Sequence, residues 1–260
     1  MHTVAPFLLR RTVKVAVIGC GGTGSAILAG LPHLHQVLLA LGHPSGLSVT
    51  AIDGDRISPA NCVRQPFSEG EIGLFKAVVL INRLNLFWGL KWEAVPQHLS
   101  KGYGIANDID LVIGCVDTRQ ARAMIHQSVT TNCCGTLYWL DLGNNADTGQ
   151  FVLGQPLNRM NRRKAARLRT VSELFGEIID PALDDDTQPS CSAAEALQRQ
   201  HPIINQTMAQ HALALLSRLF RCESLSYHGG FVNLATGSLV PLRADRRVWK
   251  RMQNRARRPQ

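Results

Sequence analysis

Six residues, Gly19-Cys20-Gly21-Gly22-Thr23-Gly24, follow a β-branched run at 13–18 and precede a stretch rich in Ala and Leu. The pattern is G-x-G-x-x-G in the strand-to-helix setting that gives it meaning. Gly19, Gly21, Gly22 and Gly24 let the backbone turn tightly and come close to a phosphate, and the helix that follows offers amide donors and the positive end of its dipole. The same pattern also occurs in tight turns that hold no ligand. Ser25 stands where a P-loop would carry lysine, so a lysine for a triphosphate must come from elsewhere. Asp53, 29 residues past Gly24, ends a second apolar run and has the setting of an acid that hydrogen-bonds a ribose. Asp55, Asn61, Arg64, Gln65 and Lys76 follow it. An arginine presents a planar fork to phosphate oxygens and a lysine a compact charge. Arg64 and Lys76 therefore suit a nucleoside triphosphate better than a hydride carrier. Taken singly, Arg64 is an ordinary surface arginine and Lys76 a solvated residue opening a helix; the spacing after Asp53 gives them chemistry.

Such residues must be carried to one place by regular elements. Runs at 13–18, 47–53, 110–116 and 136–142 read as buried strands, and 92–99 alternates weakly as a further one. Helical spacing covers 24–41, kinked at Pro32, then 76–88 and 119–132, and returns at 192–220 with a break near Pro202. Strands alternating with helices make βαβ units. The expectation is an α/β, Rossmann-like, doubly wound and mostly parallel sheet with helices on both faces. Residues 150–153 begin an antiparallel extension, and 227–234 with 238–242 read as a hairpin turning at Thr236-Gly237. Residues 155–190 read as a long crossing loop within a single domain, 1–242, and 243–260 as a basic, flexible tail.

The joint pattern resembles the ThiF/MoeB/HesA family, the adenylating domain of ubiquitin-activating enzymes. The matching residues are the glycine loop, Asp53-x-Asp55, Asn61-x-x-Arg64-Gln65, Lys76, and Cys115-Val116-Asp117 after a buried strand. Asp141-Leu142-Gly143 and Gly149-Gln150-Phe151 are similar to the family's later strands. The likeness covers about 12–155 well and 190–220 loosely. A narrower resemblance, to the ThiF-type protein of plasmid-borne PRTRC systems, rests on 189–200. The family resemblance implies ATP-dependent adenylation of the C-terminal carboxylate of a small ubiquitin-like or sulfur-carrier-like protein. It implies that Arg64 and Lys76 hold the phosphates, Asp53 the ribose hydroxyls and Asp117 a Mg²⁺ ion, with Asn61 and Gln65 bonding the phosphates or orienting Arg64. Asp117 also reads as a helix N-cap before Thr118, and the two roles are compatible.

In some relatives a cysteine takes the acyl group as a thioester. Cys191 is the candidate, because it opens a predicted helix where the dipole favours thiolate; the plainer reading is a small apolar residue seating that helix. Many members carry two C-x-x-C pairs for zinc; none exists here and Cys133-Cys134 are adjacent, so no structural zinc is expected. The family also implies a homodimer, in which an N-terminal arginine reaches the partner's ATP; Arg10 and Arg11 are the candidates.

Composition bounds the remaining classes. The chain has 260 residues, seven cysteines and a net charge of +9. An odd, irregular cysteine set fits a reducing cytoplasm, and no apolar run is long enough for a membrane span. The excess charge is local: +7 in 243–260 and +6 in 159–169, leaving −4 for the rest. In the crossing loop the basic block is followed by Glu173, Glu177, Asp180, Asp184, Asp185 and Asp186. Two other functions fit the glycine loop. An NAD-dependent oxidoreductase leaves Arg64 and Lys76 without a task. A non-catalytic Rossmann-type plasmid-associated protein would use the tail as a salt-dependent anchor for nucleic acid or an acidic partner. Trp249 is the tail's single aromatic, so base stacking is not indicated.

Overall fold

The computed structural model describes residues 1–256 apart from Lys101, Ala165, 185–202 and Glu223. Its main sheet has the strand order β10-β9-β7-β6-β5-β2-β3-β4. The parallel part comprises β2 (Val13–Ile18), β3 (Leu47–Ile52), β4 (Glu93–Val95), β5 (Leu111–Gly114) and β6 (Tyr138–Asn144). β7 (Thr148–Gly154), β9 (Tyr227–Asn233) and β10 (Ser238–Arg243) continue it antiparallel. A separate two-stranded pair joins β1 (His2–Thr3) to β8 (Ser224–Leu225). The architecture is the doubly wound α/β sheet with an antiparallel extension that the sequence pattern predicts.

Alternation along the strands divides the core in two. Val13, Val15, Val17, Leu111, Ile113, Leu140 and Leu142 point to one face. There they meet α1 (Gly22–Ala40), α2 (Lys76–Trp88) and α5 (Ile204–Cys222). Ala16, Ile18, Val112, Trp139 and Val152 point to the other. They meet α3 (Arg119–Thr130), the short α4 (Val171–Leu174) and α6 (Arg246–Ala256). α1 packs on α5 through Ile27, Leu28 and Leu31, a helical stripe. Gly30 lies where this contact is closest: a Cβ there would come within 2.2 Å of Leu213 Cδ1. Pro32 sits inside α1, which nonetheless runs on to Ala40.

Three expectations change. The weak strand at 92–99 shortens to Glu93–Val95 at the sheet edge. α1 begins at Gly22 rather than Gly24. Most notably, 243–260 does not start as a flexible tail: residues 246–256 are helical. Val248, Trp249 and Met252, at helical spacing, pack on the second core. Charge dominates the composition of this segment, but the few apolar residues share one face, and that face decides its fate. Trp249 is 6% exposed. Its Nε1 donates to His228 Nε2 at 2.9 Å, while His228 Nδ1 bonds Leu153 O at 2.7 Å. Among the described residues no helix is long and apolar enough to cross a membrane.

Residues 155–184 run as turns, α4 and 3-10 turns rather than a bare loop. Asn158 donates to the carbonyls of Val129 and Thr136, and Asn161 to those of Thr136 and Leu137. Part of the basic block folds onto the acidic one: Arg167 grips Glu173 with two nitrogens, and Arg169 Nη1 adds a bond to it at 2.6 Å.

Two outcomes follow from the α6 contact. Trp249→Ala should cost about 3–5 kcal/mol of stability, read as a lowered denaturation midpoint. Burial lowers the His228 pKa to about 4 from 6.5. The unfolded chain then binds the extra proton between those values, so stability is complete above pH 6.5 and declines as pH falls toward 4. Wild type should lose about 3 kcal/mol more than His228→Gln over that range, measured by urea unfolding at both ends.

Candidate functional site

β2 and β5 are neighbours, yet the helices that follow them, α1 and α3, pack on opposite faces of the sheet. Their carboxyl ends therefore open a crevice, the switch point at which doubly wound sheets bind ligands. The glycine loop leaves β2 here, and Cys115, Val116 and Asp117 leave β5. Gly19 has φ +88°, and a Cβ on it would stand 2.7 Å from Cys115 O. A Cβ on Gly24 would stand 1.9 Å from Gly19 O. These two glycines allow the turn and the close approach of β5. Gly22 abuts the Asn205 amide, whereas Gly21 faces only Gln65 Nε2, 3.9 Å from where its Cβ would be.

The two helix starts differ electrostatically. No side chain caps α1, and its first turn carries no acid. The hydroxyls there are turned elsewhere: Thr23 Oγ1 donates to Asn205 Oδ1 at 2.8 Å, and Ser25 Oγ to Gly22 O at 3.0 Å. α3 is capped twice. Thr118, not Asp117, is its N-cap, accepting from Ala121 N–H at 3.2 Å. Asp184 accepts from Arg119 N–H at 2.7 Å and from Gln120 N–H at 2.9 Å. The positive end of α1 is thus left for an outside anion.

Asp53 is buried at the end of β3. Its Oδ2 accepts from Cys20 N–H at 2.5 Å and its Oδ1 from Asp55 N–H at 2.7 Å. Burial raises its pKa, and these amide bonds oppose the rise. Asp53 therefore stitches β3 to the glycine loop besides offering oxygens to a ribose. Burial, then the Asp53 charge, pushes the Cys20 thiol well up, which disfavours a thiolate there. Lys76, also buried, opens α2 and reaches Asp55 Oδ2 at 2.9 Å. His98 Nε2 lies 3.5 Å from Asp55 Oδ1, and ligand atoms of Asp53, Asp55 and His98 lie within 4.8 Å of one another.

Asn61 holds the turn that presents Arg64 and Gln65. Its Oδ1 accepts from Ser58 N–H at 3.0 Å, and its backbone oxygen takes the amides of Arg64 and Gln65. Gln65 Oε1 is buried with no hydrogen bond among the described residues. Asp117 is exposed just past β5. The crevice so collects Gly19–Gly24, Asp53, Asp55 and Asp117 at neighbouring strand ends, with Gln65 beside Gly21 and Lys76 on Asp55; Asn61 lies behind, in the turn it holds. Cys191 lies outside the described residues. Arg11 is committed elsewhere: it grips Asp110 with both terminal nitrogens at the start of β5, the far end of the sheet.

Sequence reasoning missed the charges that hold this crevice. Arg122 Nε bonds Asp141 Oδ1 at 2.9 Å, and its Nη2 donates to Val116 O at 2.7 Å. Asp141 is fully buried, and burial raises its pKa against the pull of Arg122. An acid inside the apolar run Leu137-Tyr-Trp-Leu-Asp-Leu142 was the available signal. Asn205, which also accepts from Asn144 Nδ2 at 3.1 Å, gave none.

The model of the ThiF family matches residues 9–254. The chain belongs to the ThiF family. A search of curated proteins returned no match for this ThiF-family chain. Among solved structures it resembles selenomethionine PaaA, with TM-score 0.59 and 15% identity over 89% of this chain and 64% of that one. It also resembles Escherichia coli MccB solved with ATP, with TM-score 0.57 and 18% identity over 92% of this chain and 65% of that one. The ThiF-family chain thus spans just under two thirds of the length of these structures, and the likeness is one of fold.

Removing one partner of the buried pair strands a charge. Arg122→Ala should destabilise the protein by about 3–5 kcal/mol, and Arg122→Met with Asp141→Leu should recover most of that loss. Chemical denaturation of the single and double variants checks this.

Proposed function

We propose that this chain uses ATP to adenylate the C-terminal carboxylate of a small ubiquitin-like or sulfur-carrier-like protein. The observation that carries the reading is the uncapped start of α1 at the switch point, flanked by Asp53, Gln65, Lys76 and Asp117, with Arg64 on the turn next to Gln65. That MccB has been solved with ATP supports a nucleotide in this fold. One carboxylate oxygen bonds the α-phosphorus, the bond to the β-phosphate oxygen breaks, and pyrophosphate leaves with the electron pair. Both reactants are anions, so the protein's work is neutralisation and alignment. The α1 amides and Arg64 hold phosphate oxygens. Lys76, fixed by Asp55, adds a cation whose position costs nothing at the moment of reaction. Asp53 orients the ribose, and Gln65 offers its buried amide oxygen to a donor on the nucleotide. Asp117 would hold Mg²⁺, which when bound neutralises phosphate charge.

Thioester transfer to Cys191 belongs to the same proposal. The chain enters 185–202 from Asp184, on the α3 start, and returns at Asn205, beside the glycine loop. Cys191 is seven residues from Asp184, within about 25 Å of chain. The carbonyl carbon would pass to Sγ and AMP would leave. A second copy of this chain is the expected partner, and the PRTRC context stays attached to 189–200.

The test is ATP–pyrophosphate exchange with a candidate carrier. Asp117→Ala should abolish exchange, and Arg64→Ala or Lys76→Ala should slow it about 10²–10³-fold. Cys191→Ala should spare exchange and remove only a thioester trapped at low pH. No exchange with any carrier, together with tight NAD binding, would instead favour a hydride-transfer enzyme.

A further inference from the structure

The two basic segments, far apart in sequence, meet in one place. A cavity of about 360 Å³ is walled by Arg162, Arg163, Lys164 and Arg169 from the crossing segment and by Arg246 and Trp249 from α6. It lies at the opposite end of the sheet from the glycine loop. Asn158 and Asn161 anchor the crossing segment to the carbonyls of Thr136 and Leu137, just before β6 begins. α6 follows β10, whose last residue pairs with Tyr227 at the start of β9, and β9 starts beside the end of β7.

We propose that this cavity and the outer face of α6 bind the phosphate backbone of nucleic acid without reading its sequence. Four observations carry the assignment. First, four of the cations carry no counter-charge: Arg169 and the neighbouring Arg167 are held by Glu173, but among the described residues no carboxylate lies within ion-pair distance of Arg162, Arg163, Lys164 or Arg246. Second, the wall is mainly guanidinium, whose fork matches phosphate oxygens. Third, the positive surface continues beyond the cavity. Arg247, Lys250 and Arg251 are exposed and share a face of α6 at i, i+3 and i+4. These three charges span about 6 Å along the helix axis, and with the cavity wall they make more cations than one phosphate group fills, suited to the repeating charge of a nucleic-acid strand. Fourth, the aromatic ring in the wall is turned inward, Trp249 being 6% exposed, so no platform for base stacking is offered. The surface is independent of the adenylation reading, because it shares no residue with the crevice.

The test uses the full chain and a labelled 20-base-pair duplex of mixed sequence, followed by fluorescence anisotropy between 50 and 200 mM salt. Wild type should bind with a steep salt dependence. Replacing Arg162, Arg163 and Arg246 by glutamate should weaken binding at least tenfold and flatten the log–log salt slope by about 3, with ATP binding unchanged. Should that variant unfold by circular dichroism, Arg247→Glu with Lys250→Glu and Arg251→Glu gives the same readout from solvent-facing positions. No binding at 50 mM salt, or unchanged affinity in the folded variant, overturns the proposal. So does tight binding of polyglutamate or inositol hexakisphosphate at concentrations where the duplex does not bind.

Discussion

The site depends on a contact in which side chains are forbidden. Gly19 and Gly24 touch each other and the backbone of Cys115 so closely that a Cβ on either would overlap a carbonyl oxygen. That closeness lets β2 and β5 end side by side while their helices depart to opposite faces. The crevice, the exposed start of α1 and the nearness of Asp117 all follow from it. Burial raises the Cys20 and Cys115 pKa values, and the nearby charges of Asp53 and Asp141 add to the effect.

A second layer keeps the crevice from relaxing. Arg122 ties α3 to β6 and to the carbonyl of Val116, next to Asp117. Asp53 ties β3 to the glycine loop, and Asn205 ties α5 to Thr23 and Asn144. Each link joins elements distant in sequence, so the crevice is held from three sides by polar bonds rather than by apolar packing alone. Desolvating such bonds is expensive, and their pairing is what makes them tolerable.

What could be read in advance was local. The glycine loop, Asp53 and Lys76 declare themselves by spacing along two successive strand–turn–helix units, which the sheet sets side by side. Asn61 suggests by its position a phosphate contact or a residue that orients Arg64, and its side-chain and backbone oxygens hold the turn that carries Arg64. Arg122 with Asp141, and Asp184 on the α3 start, were not legible, because nothing in a single sequence says which helix start a distant carboxylate will meet. The helix at 246–256 is hidden in the sequence for a different reason. Its charge outweighs its apolar residues by composition, but folding responds to where Val248, Trp249 and Met252 sit around the helix.

The Asp184 carboxylate has a consequence for direction. Two helices point their positive ends at the same crevice. By placing its own anion on α3, the chain leaves a single vacant pole. The crevice is electrically one-ended, so an anion entering it meets one positive pole rather than two. A residue 65 positions away in sequence from the amide it bonds therefore acts as a polarity key.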